Sequence, residues 1–390
     1  MRKRITRQKV ALLFTMLATS FVASAQSGSP AKVELKGSKG TTLVGEAITS
    51  FENPWAMAFL PDGHSLVTEK AGTLWLLDKN QQKRFAVTGT PNVTPRGQGG
   101  LGDVIVHPEF KTNSTIYISY IERDPKDDAY SGAVIERATL NISDSGANLS
   151  DREVIWHQSP KVTGNGHYSH RMAFSPDGYL FITSGDRQKF TPAQNMAMNL
   201  GKILRLNADG SVPQDNPFYG NGSVTEQIWT LGHRNPLGID FDEQGNLWSH
   251  EMGPRHGDEL NIIEKARNYG YPIVSQGDHY SGVKIPNHED YPIYKAPENA
   301  WVPAISPAGF IIYKGDLHKG WKGNGFIGGL SSEALVRVTF SQDGQKWNVE
   351  EAERYEWGKR IREVEQDNKG NIYVLEDKEG GRLIKLRPNN

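Results

Sequence analysis

Four segments of the chain follow one pattern: an apolar stretch ending in Phe or Val with the residues after it, a Pro-Asp-Gly or similar turn, and an alternating apolar strand. They are Met57-Ala58-Phe59-Leu60-Pro61-Asp62-Gly63 leading to Leu66-Val67-Thr68, and Met172-Ala173-Phe174-Ser175-Pro176-Asp177-Gly178 leading to Leu180-Phe181-Ile182. Ile239-Asp240-Phe241-Asp242-Glu243-Gln244-Gly245 precedes Leu247-Trp248, and Val364-Glu365-Gln366-Asp367-Asn368-Lys369-Gly370 precedes Ile372-Tyr373-Val374. Each reads as a β-hairpin, because Asp-Gly and its relatives reach the left-handed backbone region at little cost. Weaker copies run from Val104 to Ile118 and from Gly309 to Ile327. The copies start near residues 57, 104, 172, 238, 309 and 363, at intervals of 47 to 71 residues. Four short strands with their turns fill about 40–50 residues of a propeller blade. The spacing therefore predicts an all-β fold, a six-bladed β-propeller of four-stranded antiparallel blades, with the excess length in loops. A tandem of β-sandwiches would repeat at about 100 residues per domain. Helical signals are short: Glu259 to Asn268, and Thr191 to Asn199.

Composition agrees. Gly 41 and Pro 21 are high for turns without being low-complexity, and 37% hydrophobic residues can fill a core. With no Cys, a disulfide framework, an iron–sulfur cluster and a cysteine nucleophile are excluded. Residues 1–25 read as a signal peptide. Arg2, Lys3, Arg4, Arg7 and Lys9 precede an apolar run from Val10 to Ala23, and Ala23-Ser24-Ala25 fits a small-x-small cleavage site. The run is short of the roughly 20 residues that span a bilayer. The expectation is an exported chain, periplasmic or secreted, with residues 26–390 forming one propeller domain and no integral membrane segment after cleavage. Taking the leader's five basic residues from the 44 leaves 39 against 45 acidic ones, with no basic stripe. Nucleic acid is thus not an expected partner.

Polar residues that could carry chemistry gather in loops between strands. Gly97-Gln98-Gly99-Gly100-Leu101-Gly102 would let backbone approach a ligand, but it lacks the Lys-Ser/Thr of a phosphate loop. Gly166-His167-Tyr168-Ser169-His170-Arg171 puts His beside Arg at a strand entry, where His can serve as a general base kept neutral by the nearby cation. Gly232-His233-Arg234-Asn235-Pro236 offers a planar cation and an amide. Gly253 and Pro254, followed by Asp258 and Glu259, give oxygen donors suited to Ca²⁺ without the spacing of an EF-hand. Arg360 and Arg362, two apart on an expected strand, face one way. Each cluster has a bland alternative as a turn or solvated surface. Together they suit an anionic ligand, a divalent cation and a general base.

In order, Gly-Gln-Gly-Gly-Leu, His-x-x-x-Arg before a Pro-Asp-Gly hairpin, Gly-His-Arg-Asn-Pro, Met-Gly-Pro…Asp-Glu…Asn-Tyr-Gly and Arg-Ile-Arg resemble the soluble pyrroloquinoline quinone (PQQ)-dependent sugar dehydrogenases, the glucose/sorbosone dehydrogenase family, over residues 45 to 388. That family is a six-bladed propeller. The resemblance implies oxidation of the C1 hydroxyl of aldoses to aldonolactones by hydride transfer to PQQ. His167 would be the general base, with Arg234 and Ca²⁺ polarising the quinone. It implies cofactor contacts from Gln98, Arg171, Arg234, Asn235, Tyr280, Ser331, Arg360 and Arg362. Ca²⁺ contacts would come from Gly253 and Pro254, with a further Ca²⁺ at Glu259 and Tyr269. The partners implied are an aldose and an electron acceptor that the sequence does not identify, for a monomer or homodimer. Ser331 falls where the family often supplies a Lys. That departure weakens cofactor binding unless another basic residue reaches the site. A Ca²⁺-dependent lactonase-like hydrolase and a non-catalytic binding propeller are the competing readings.

Overall fold

A computed structural model describes residues 32–388 of the chain; residues 1–25, read above as a signal peptide, lie outside them. Described secondary structure is almost all β, with 26 strands, one helical turn at Phe110–Asn113 and three short 3₁₀ turns. The strands form five sheets. Three are four-stranded antiparallel meanders: Ser169–Phe174 to Ile228–Leu231, Pro236–Phe241 to Asn299–Trp301, and Pro307–Ile312 to Lys346–Glu356. A nine-stranded sheet holds two further antiparallel runs, Pro54–Phe59 to Arg84–Thr88 and Leu101–Val106 to Gly146–His157. These are joined by a short parallel pairing of Ala147 with Val87 and Asn148 with Thr88. In the fifth sheet Thr42–Phe51 pairs with Gly381–Pro388, so a strand from before the first repeat completes the last one.

The repeat is visible as hydrogen bonding. In each of the four strong copies the turn glycine donates back three residues: Gly63 to Leu60, Gly178 to Ser175, Gly245 to Asp242 and Gly370 to Asp367, at 2.9–3.1 Å. The flanking strands pair as expected, Met57 opposite Val67 and Val364 opposite Val374. One expectation fails. The Glu259 to Asn268 stretch is not helical: Asp258–Ile262 is a strand between Leu247–Glu251 and Asn299–Trp301, buried on both faces. Pairing on both edges outweighs the helical propensity of a five-residue run. Thr191–Gln194 does form one 3₁₀ turn.

The core lies between neighbouring sheets. Tyr117, Ile135 and Trp156 of one pack on Met172, Ile182 and Leu204 of the next. The first strand of each meander packs on the first strand of the next: Pro54–Phe59 on Leu101–Val106, then Ser169–Phe174, Pro236–Phe241, Pro307–Ile312, Ile361–Gln366, and back to Pro54–Phe59. The N-terminal ends of these strands meet at one cavity and their C-terminal ends at another.

Candidate active site

The loop before Ser169–Phe174 carries His167, and the loop after Leu180–Ser184 carries Asp186. His167 Nδ1 lies 2.7 Å from Asp186 Oδ1, and both residues are buried. The carboxylate is fixed in turn by the Gln188 amide at 2.9 Å and the Phe190 amide at 3.2 Å. An Nδ1–H donated to Asp186 leaves the Nε2 lone pair free for a proton from a bound hydroxyl. Burial pulls the His167 pKa below 6.5, and nearby Arg234 and Arg187 pull the same way; the Asp186 contact opposes them without reversing the shift. The imidazole is therefore neutral at neutral pH. Gly185 makes this approach possible, since a Cβ there would collide with the His167 carbonyl. His167, Ser169, His170, Arg187, Gln188 and Phe190 all have φ between 49° and 60°, a left-handed region that non-glycine residues seldom occupy. Such clusters gather at functional loops. Sequence reasoning missed Asp186. Its signal was the Ser-Gly-Asp after a core strand, and that signal gains meaning only once the two loops are adjacent.

His167 opens onto a cleft of about 560 Å³ lined also by Gln98, Gln188, Arg234, Met252, Gly253, Pro254, Tyr280 and Ser331. Gln98 accepts a 2.7 Å bond from the His167 amide through Oε1. The Arg234 amide donates to Glu251 and its Nη1 to the Met252 carbonyl at 2.9 Å, while Nε, though buried, has no partner among the described residues. Its guanidinium stands 6.0 Å from the ring centres of both Tyr271 and Tyr280. A side pocket of about 250 Å³ leads off beside His167, walled by Phe190, Tyr271, His279 and Tyr280. The buried Tyr271 hydroxyl there also lacks a partner among the described residues. Asn235 is not on the wall. It is fully buried, and its Oδ1 accepts from Ser169 Oγ at 3.0 Å. Its place is to hold the His loop.

Gln98, Met252 and Ser306 also line an adjoining arm of about 370 Å³, with Trp55, Lys70, Arg360, Arg362 and Asp377. The expectation that Arg360 and Arg362 face one way holds: both donate Nε to Asp377 at 2.8 Å. Arg362 is deeply placed, and burial together with Arg171 and Arg360 draws its pKa down from 12.5, against the pull of Asp377. Arg171 is placed elsewhere than a cofactor contact requires. Its guanidinium lies beneath the arm, 4.1 Å from the Trp55 ring centre, bonded to Asp103 at 3.2 Å, to the Leu237 carbonyl at 3.0 Å and to Glu363. Two buried carboxylates hold it inside the molecule.

Gly253 and Pro254 do lie on the cleft wall, with the Gly253 amide held by Asp258 at 2.9 Å. Glu259 and Tyr269 lie behind it. Glu259 stands across a strand pair from Glu251, and both are buried. Burial and the Glu251 charge push the Glu259 carboxyl well up. Neighbouring Asn261 leaves Oδ1 unpartnered among the described residues. The Tyr269 hydroxyl donates to the Ile262 carbonyl at 2.5 Å, leaving only its carbonyl, which accepts from His288 at 3.0 Å. Among the described residues no group of three or more His, Asp or Glu side chains is arranged as a metal site.

The cleft can be set beside known proteins. The Glucose / Sorbosone dehydrogenase family matches residues 51–385. The chain belongs to that family. It is 35% identical over 343 residues to the aldose sugar dehydrogenase YliI of Escherichia coli, covering 87% of this chain and 91% of that one. A solved apo-form structure of the soluble aldose sugar dehydrogenase from Escherichia coli superposes with a TM-score of 0.82 at 34% identity, covering 89% of this chain and all of that one (100%). The PQQ-bound aldose sugar dehydrogenase of Streptomyces coelicolor shares the fold, with a TM-score of 0.70 at 24% identity over 91% of this chain and 99% of that one.

Proposed function

We propose that this member of the glucose/sorbosone dehydrogenase family is a quinoprotein that oxidises the C1 hydroxyl of aldoses to aldonolactones, using PQQ and Ca²⁺. The observation that carries the reading is the buried His167–Asp186 pair facing a cleft whose other walls are cationic and aromatic. Membership of the family makes the chain a sugar dehydrogenase, and the relatives named above support both the substrate class and the cofactor. The residues suit the group. The unpartnered Arg234 Nε offers a donor to a quinone oxygen, Gln98 lies between the two arms, and Arg360 and Arg362 offer charge to carboxylates. The bound quinone would supply a two-electron acceptor for the C1 hydride.

His167 Nε2 takes the C1 hydroxyl proton while Asp186 steadies the imidazolium that forms. Arg234 is placed to meet negative charge as it develops. Phe190 and Tyr280 offer apolar faces to the sugar ring, and Gln188 and Tyr271 offer hydrogen bonds. The backbone oxygens of Gly253 and Pro254 are the donors proposed for Ca²⁺ in the cleft. Glu259, with Glu251, Asn261 and the Tyr269 carbonyl, is the set proposed for a further Ca²⁺. A lactonase would have no use for the cationic arm.

Six blades follow if the nine-stranded sheet is divided at its parallel pair and the closing sheet takes Thr42–Phe51 as its fourth strand. Residues 1–25 are proposed as a cleaved signal peptide, which puts the enzyme in the periplasm or outside the cell, as a monomer or homodimer. No helix of the described residues is long and apolar enough to cross a membrane. The test is dye reduction by the purified mature protein with PQQ, Ca²⁺ and a panel of aldoses. Turnover should require both additions and fall by about 10²-fold or more in His167→Ala. Quinone-independent activity, or none with quinone bound, would sink the proposal.

A further inference from the structure

The cationic arm holds more positive charge than its own acid can neutralise. Of the described residues lining it, Lys70, Arg360 and Arg362 are basic and Asp377 is the one acid. His170, also on the wall, is held neutral: burial first, then Arg171, pulls its pKa to about 3. Asp377 is already bonded to both arginines. Among the described residues Lys70 Nζ bonds to a backbone oxygen alone, the Gly97 carbonyl at 2.9 Å. A half-buried cavity with two positive charges in excess is costly when empty of anions and favourable when it holds one.

The chain also holds Lys70 in position. Its amide donates to the Asn53 carbonyl and its carbonyl accepts from the Leu101 amide, both at 3.1 Å. Gly100, with φ of 122°, lies so close that a Cβ there would collide with the Lys70 carbonyl. The glycine run at 97–102 thus packs against the Lys70 backbone while its first carbonyl receives the ammonium. Burial lowers the Lys70 pKa and so does Arg362, against Asp377, as expected of a cation crowded by another.

We propose that Lys70 is a third cation for a multiply charged carboxylate ligand in this arm, acting with Arg360 and Arg362 on the carboxylates of the cofactor. This rests on the quinoprotein reading and adds to it a residue that no sequence motif marked. It also supplies charge to the arm adjoining the cleft in which position 331 carries a neutral serine, whose hydroxyl donates to the Ala304 carbonyl at 3.3 Å.

The test is titration of the full mature protein with PQQ, followed by tryptophan fluorescence (Trp55 lines the arm) at low and moderate salt. Lys70→Met should weaken binding about tenfold or more, flatten its salt dependence, and leave the thermal midpoint within a few degrees. Lys70→Arg should bind nearly as the parent does. Lys70→Gln repeats the measurement in case the methionine variant folds poorly. Binding by Lys70→Met and Lys70→Gln within twofold of the parent overturns the role of Lys70 and leaves the quinoprotein reading standing. A parent protein that takes up no PQQ at all overturns both.

Discussion

The strands that pass through the middle of the molecule begin at one cavity and end at another, and the two cavities differ in sign. At the starting end stand Lys70, Arg234, Arg360 and Arg362, with His167 beside them. At the other end a cavity of about 690 Å³ is lined by Asp103, Asp240, Glu363, Glu365 and Asp367, against Arg171 and Lys314. The second cavity is larger than the cleft or the arm taken singly, so size does not pick out the active end. Chemistry does. The cleft has a base with an oriented carboxylate behind it. In the larger one the most buried charges are spent on each other, Arg171 on Asp103 and Glu363. An anionic cofactor is drawn to the first end and repelled from the second. Arg171 is the divide between them.

The largest effect should come from that divide. Arg171→Met leaves Asp103 and Glu363 buried without their cation, and breaking such a cluster costs about 3–5 kcal/mol. Thermal unfolding should move down by roughly five degrees, while PQQ affinity in the folded protein stays within a few-fold. Lost affinity with an unchanged midpoint would instead return Arg171 to the cofactor, as the resemblance first implied.

Asp186→Asn tests the active end. It keeps the shape but removes the acceptor that fixes the His167 tautomer, so kcat should fall about 10²-fold with little change in PQQ affinity. The pH profile adds a check. A His with a lowered pKa is protonated only under acid conditions, so kcat/KM should fall as pH drops below 6.5 and be flat above it. Without the Asp186 contact, which raises that pKa, the acid limb should move to still lower pH.

The opposite end should report itself in stability rather than turnover. Burial first, then Glu363 and Asp240, pushes the Glu365 carboxyl from 4.5 to about 8. A carboxyl raised in the folded state stabilises fully below pH 4.5, and that stability is lost as pH climbs toward 8. Glu365→Gln removes the penalty. Its thermal midpoint should match the parent near pH 4.5 and exceed it by a few degrees at pH 8.5, with kcat unchanged.

The same contrast explains what the sequence disclosed. Local features were legible: the hairpin turns, because Leu60 to Gly63 and its equivalents close on themselves, and the arginine pair, because alternate strand residues share a face. Gly253, Pro254, His167, Gln98 and Arg234 came from ordered motifs and meet at one cleft. Lys70 and Asp186 stayed hidden because their meaning depends on which loops the closed fold brings together. Lys70 sits at the end of an ordinary strand, 27 residues from the carbonyl it binds. The pairing of Thr42–Phe51 with the C-terminal strand was hidden for the same reason. Arg171 misled in the opposite way, since its spacing to His167 fits the motif while its strand position turns it inward.

The smallest effect lies within the active end, where the aromatic pocket can be separated from the cationic arm. Phe190 is 46% exposed, its ring set edge-on to His279 at 5.6 Å and inclined to Tyr271 at 6.4 Å. If the sugar lies on this wall, Phe190→Ala loses one apolar face, worth about 0.5–1.5 kcal/mol in an aromatic contact. KM for aldoses should then rise roughly three- to tenfold, with PQQ affinity and the pH profile as in the parent. A change in PQQ affinity with KM untouched would mean that cofactor and sugar have been assigned to the wrong arms. That result would move the His167 chemistry toward Arg360 and Arg362. It would also require the hydroxyl at C1 to be reached from the cationic arm, where Lys70 and the two arginines stand among Trp55, Leu237, Met252 and Leu330.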